Sequence, residues 1–147
     1  MSVLMRGLLL VALAVGSVSA LSSVGRVLSF EGEVTVNGKP MTEDTVLNKD
    51  DVIVTGPDAT VQIVLSDNSV LDLESDSKID INEYVFSPDS PEQNTSDISV
   101  LAGTLRYVSG KIAKDDPENV SFTAGSSTIG VRGTYISISV CPDEGCD

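Results

Sequence analysis

Ser69-Val70-Leu71-Asp72-Leu73, the polar step Glu74-Ser75-Asp76-Ser77, and Lys78-Ile79-Asp80-Ile81-Asn82-Glu83-Tyr84 form the stretch on which the fold turns. Apolar and acidic residues alternate on both sides of the step, which is the period of a half-buried β-strand. That puts Leu71, Leu73, Ile79 and Ile81 on a buried face and the acids in water. The pattern extends in both directions. Upstream, Val27-Leu28-Ser29-Phe30 and Glu33-Val34-Thr35-Val36 flank Glu31-Gly32, and Asn37-Gly38 is a strong turn pair. Val52-Ile53-Val54-Thr55 leads into the turn Gly56-Pro57-Asp58 and the strand Thr60–Leu65. Downstream, Ile98–Leu101 and Thr104–Val108 predict two strands separated by Ala102-Gly103, and Val120–Thr123 and Tyr135–Val140 supply the last strands. Ser87–Asp97, which contains two prolines and no hydrophobic residue, reads as an exposed loop, and Lys111–Asn119 reads as a polar linker. Strand spacing of about ten residues without helical periodicity predicts an all-β single domain. Short antiparallel strands would form a two-layer sandwich, a roll or a solenoid-like stack.

Residues 1–20 have the pattern of a secretory signal peptide: Arg6 near the start, an apolar run from Leu8 to Val15, and small residues at Val18 and Ala20 before the cut. The run falls short of the roughly 20 residues a spanning helix needs, so cleavage is expected, with no integral membrane segment afterwards. No cysteine directly follows Ala20 to accept a lipid. The expected product is an exported β domain over 21–147, with its core at about 24–140. It is soluble in the periplasm, or else at the cell surface or secreted. The chain carries 22 acids against 9 bases, a net charge of −13, and the leader removes one base and no acid. Such a balance argues against nucleic acid and anionic lipid as partners.

Cys141 and Cys146 enclose Pro142-Asp143-Glu144-Gly145, and an exported chain meets an oxidising compartment, so a local disulfide is the expected state. A redox pair or half a metal site fits less well, because the spacing is not C-x-x-C and the chain has no histidine. The series Asp67, Asp72, Glu74, Asp76, Asp80 and Glu83 raises a calcium hypothesis. Neither an EF-hand pattern nor a nonapeptide repeat accompanies it, and solvated strand faces account for the acids, so no metal and no cofactor are expected. The absence of histidine also removes the commonest general base, and no nucleophile motif is present. The chain therefore reads as non-enzymatic.

Thr128-Ile129-Gly130-Val131-Arg132-Gly133-Thr134 opens onto the alternating run Tyr135–Val140. Two glycines around a Val-Arg pair suggest a backbone kink that holds an arginine at a fixed angle. Arg132 is expected to pair with a carboxylate or cap carbonyls, with an anionic ligand as the alternative. Gly130-Val131-Arg132-Gly133-Thr134 resembles the G-[VI]-R-G-T signature of FecR-type domains, a bacterial envelope family. Ser109–Lys114, Pro117-Glu118-Asn119-Val120 and Thr128-Ile129 match one branch of that family in order and spacing, and Ser66-Asp67-Asn68-Ser69 resembles its D-G-S turn. The resemblance spans about Val24 to Val140. It implies a periplasmic domain that senses or assembles with an envelope protein partner. With a leader at the start rather than a region that holds a sigma factor, a stand-alone interaction domain is expected ahead of direct anti-sigma control. The alternative is a periplasmic domain binding a small ligand such as an iron chelate, a glycan or calcium. The resemblance also implies a return strand after Val140. The sequence ends at Asp147, so either that strand is missing or the chain is a fragment, and Tyr135–Val140 is expected near an edge where a partner strand can add.

Overall fold

The structure, a computed structural model, describes residues 23–141; the expected leader and Cys146 lie outside them. Strands β1 (Gly25–Glu31), β2 (Val34–Val36), β3 (Lys39–Pro40), β4 (Val46–Leu47), β5 (Val52–Thr55) and β6 (Thr60–Leu65) come first. Then follow β7 (Val70–Leu73), β8 (Lys78–Val85), β9 (Thr95–Val108), a short helix α1 (Lys111–Asp115), β10 (Val120–Ala124), β11 (Ser127–Gly130) and β12 (Tyr135–Val140). The chain is all-β, in one sheet of order β3-β2-β5-β8-β9-β7-β6-β1-β4, with β10 and β12 also on β9 and β11 on β10. The sheet curls into a half-barrel.

Alternation explains how the sheet closes. Leu71, Leu73, Ile79 and Ile81 are each at most 1% exposed, the buried face predicted from their period. Ile53, Ile63, Ile98, Leu105, Tyr107 and Phe122 join them in a single core, with the Tyr107 and Phe122 rings meeting edge-on at 5.0 Å. Each such side chain contributes roughly 1.5–3 kcal/mol through burial. The tight turns fall where Asn and Asp were read as turn formers: Asn37, Asp58, Asn68 and Asp76 all adopt positive φ.

Strand β9 organises the rest. Its first half lies between β8, antiparallel, and β10, parallel, whereas its second half lies between β7 and β12, both antiparallel. The bend between the halves is at Gly103, where φ is +76° and an added Cβ would come within 2.5 Å of the Ser77 Cα and 2.7 Å of the Asp76 carbonyl oxygen. Only glycine allows the strand to pass so close to that turn. Hydrogen bonds lock the contact: the Thr104 amide donates to the Ser77 hydroxyl at 3.0 Å, and the Ser77 amide donates to Thr55 Oγ1 at 2.9 Å.

Four local expectations are corrected. Ala102-Gly103 bends one 14-residue strand and does not separate two. Part of the predicted loop Ser87–Asp97 belongs to β9 from Thr95 onward, and buried Asn94 accepts the Ser87 amide at 2.6 Å to close what remains. Polar composition misled there, because Ser96 and Asn94 are buried polar residues. The linker Lys111–Asn119 holds α1 and a 3₁₀ turn at Pro117–Asn119, and the helix buries Ile112 and Ala113. Asp67, read as one of the solvated acids, is 2% exposed.

Candidate functional site

Asp67 lies in the tight turn between β6 and β7, and its burial requires partners for every polar atom. Its Oδ1 accepts the Ser69 hydroxyl at 2.5 Å, the Ser69 amide at 3.2 Å and the Tyr84 hydroxyl at 3.0 Å. Its Oδ2 accepts the Ile112 amide at 3.2 Å, and its carbonyl accepts the Lys111 amide at 2.8 Å. The carboxylate thus serves as the cap of α1, supplied from elsewhere in the chain. Gly110 makes the approach possible: a Cβ there would sit 2.5 Å from the Asp67 carbonyl oxygen and 2.8 Å from Oδ2. Burial, reinforced by the neighbouring carboxylate, pushes the Tyr84 phenol above its ordinary range. The same two causes push Tyr107 up to about 12.

The next residue along, Ser109, holds the glycine-flanked loop. Its amide donates to the Thr134 carbonyl at 2.8 Å and its hydroxyl to the Gly133 carbonyl at 2.8 Å. Between β11 and β12 the loop inserts Val131 into the core, at 3% exposed, and leaves Arg132 at the surface. An open groove of about 700 Å³ runs beside it, lined by Asp116, Pro117, Glu118, Val120, Ser121, Thr128, Gly130, Val131 and Arg132.

Arg132 differs from its expected role. The ion pairs among the described residues are Lys49–Glu83, Arg106–Glu74 and Lys111–Asp115, and Arg132 takes part in none. Arg132 is exposed and lines the groove together with Asp116 and Glu118. The two glycines also part ways. Gly133, at φ +118°, meets the backbone requirement expected of it. Gly130 shows neither positive φ nor any atom within 4 Å of an added Cβ, so its local conformation does not demand glycine. Gly130 lines the groove, and a side chain there would project into open space. Thr134 contributes through its carbonyl, as described.

Of the acids in the calcium series, Glu74 pairs with Arg106 and Asp67 is buried, and no group of three or more His, Cys, Asp or Glu side chains that could hold a metal ion occurs among the described residues. Cys141 is disulfide-bonded, while Cys146 lies outside the described residues. Sequence reading missed the convergence of Asp67, Ser109, Gly110 and the loop at 130–134. Nor does the sequence alone reveal the groove, although Pro117, Glu118 and Val120 of the motif Pro117–Val120 line it. No helix among the described residues is long and apolar enough to cross a membrane.

Comparison with known families finds that the model described as FecR protein matches residues 51–145. No curated protein and no solved structure matches the chain. Strands β1 to β4 precede the matched span, yet β1 pairs with β6 and β2 with β5, so they complete the same sheet.

Proposed function

This chain belongs to the FecR family, and from that premise we propose that it is an exported, non-enzymatic binding module of the bacterial envelope, acting in sensing or assembly with a protein partner. The leader at 1–20 would direct it to the periplasm and leave the β domain as the mature product. One observation carries the reading. Residues that carry the family likeness build the corner at Asp67 and Ser109 and line one groove, where Arg132 is exposed and takes part in no ion pair among the described residues. A frame that presents an exposed arginine and two carboxylates on one groove suits selective docking of a charged surface, since rim charges steer and discriminate partners. Hydrolytic chemistry is not favoured: the groove's Ser121 hydroxyl donates to the Asp97 carboxylate at 3.1 Å, but the chain has no histidine and no nucleophile motif around that serine.

The test is cross-linking in intact envelopes with tagged protein, followed by mass spectrometry. Reproducible capture of one envelope protein, lost with Arg132→Ala, supports the reading; identical recovery with wild type and variant removes it. A second reading, a small anionic ligand, is favoured by the size of the groove, which lies within the range of ligand pockets of roughly 300–1,000 Å³. It predicts a concentration-dependent rise in melting temperature with that ligand.

A further inference from the structure

We propose that β12 is a seam through which two copies of this chain pair, edge to edge and antiparallel. The strand path among the described residues ends at β3, β4, β11 and β12. Strands β3 and β4 are two residues long, and β3 consists of Lys39 and Pro40, a charge and an imino acid that both discourage added strands. β11 has four residues and ends at Gly130. β12 has six, pairs residue for residue with β9 from Tyr135↔Val108 to Val140↔Gly103, and has no second neighbour among the described residues. The alternate N–H and C=O groups on its other side are therefore available to a further strand.

The composition of β12 selects the occupant. Tyr135-Ile136-Ser137-Ile138-Ser139-Val140 contains no charged residue, in a chain with 22 acids and 9 bases. A basic strand would find no carboxylate on it, and an acidic one no base. The matching strand is itself uncharged, and β12 fits its own description. Residues directly opposite each other in an antiparallel pair point to the same face, so a two-fold axis must pass through a residue for apolar side chains to meet apolar ones. An axis at Ile138 sets Ile136 against Val140 and Ser137 against Ser139. An axis at Ser137 sets Ile136 against Ile138 and Tyr135 against Ser139. Both registers match, so the strand is self-complementary. Tyr135, 57% exposed, is the most exposed large hydrophobic residue among the described ones and sits at this seam. The net charge, −13 for the whole chain and more negative without the leader, resists contact through the acidic faces and leaves the neutral edge as the route of least repulsion. Six residues of edge bury less than the roughly 1,200 Å² of a standard interface, so the dimer is weak and concentration-dependent.

Sedimentation equilibrium of the processed full-length protein over a wide concentration range, combined with hydrogen exchange, tests this independently of the groove. The expected result is a mass rising toward twice the monomer and amide protection at 135–140 that rises with it. Ser137→Glu should abolish both at unchanged melting temperature, because position 137 is exposed and faces Arg106 across the β9 pair. Tyr135→Lys serves as a second variant should the first disturb folding. A monomeric mass at every concentration overturns the proposal. Concentration-independent protection of 135–140 overturns it as well, by assigning the edge to the chain's own terminal residues, and so does a dimer that survives both variants.

Discussion

The Asp67 carboxylate accepts the backbone amide of Ile112 at 3.2 Å, joining a β-turn to the first turn of a helix 45 residues later. A five-residue helix cannot satisfy its own amino end, and the cap residue Gly110 has no side chain to do it. The distant carboxylate substitutes, and Ser69 and Tyr84 fill its remaining acceptor positions.

Asp67→Ala should therefore be among the most destabilising single changes in the chain. It strands the Ile112 and Ser69 amides and the Tyr84 and Ser69 hydroxyls, at roughly 1–3 kcal/mol for each group left buried without a partner. Chemical denaturation should show a loss of about 3 kcal/mol or more. A loss under about 1 kcal/mol would mean that water replaces the carboxylate.

Alkaline pH should unfold the protein through its buried tyrosines. Both Tyr84 and Tyr107 have folded-state values raised above the ordinary value of 10. Their contribution is complete below pH 10 and is lost as pH rises through the folded value, with Tyr107 giving a window from 10 to about 12. Each titrating tyrosine removes about 1.4 kcal/mol per pH unit in that window. Tyr107→Phe should flatten the decline, read by circular dichroism against pH.

The two loop glycines should separate stability from binding. Gly133→Ala places a Cβ on a backbone at φ +118° and should cost about 1 kcal/mol or more in thermal unfolding. Gly130→Val meets open space, so stability should stay within about 0.5 kcal/mol while the side chain fills the groove and partner capture falls.

Arg132→Ala should leave the melting temperature unchanged, since an exposed side chain outside the ion pairs of the described residues holds nothing in place. A fall of several degrees would restore the structural pairing first expected of it.

Intact mass under non-reducing conditions should be two hydrogens below that of the free-thiol chain, from a Cys141–Cys146 bridge. Reduction should cost at most roughly 2 kcal/mol, because the loop it closes is short.

The strand pattern was legible wherever one face is apolar and the other polar. Leu71, Leu73, Ile79 and Ile81 announce their burial by period alone. The turns were legible because Asn and Asp at positive φ have a local chemical cause. What period cannot reveal is a polar residue buried through distant partners. Asp67 looks in sequence like Asp72 or Asp80, and only the Ile112 amide and the Tyr84 hydroxyl distinguish it. Asn94 and Ser96 were misjudged for the same reason. The groove was hidden because its walls come from 116–121 and 128–132, segments brought together by the β10–β11 pairing and the crossover before it. The parallel partnership of β9 and β10 likewise depends on that crossover through α1, which was read as linker.

Strand β9 gives the molecule one further property. Its first half supports the hairpin beneath the groove, and its second half carries β12, so the two surfaces rest on opposite ends of a single peptide segment. The two halves pair with different strands, and β9 is the segment common to both ladders. Deuterium uptake under native conditions should thus report one opening event for β7 through β10, at the global unfolding free energy, with no half-domain that exchanges early. A partner held at either end of this strand should therefore slow that single opening event, and exchange across β7 through β10 should fall together.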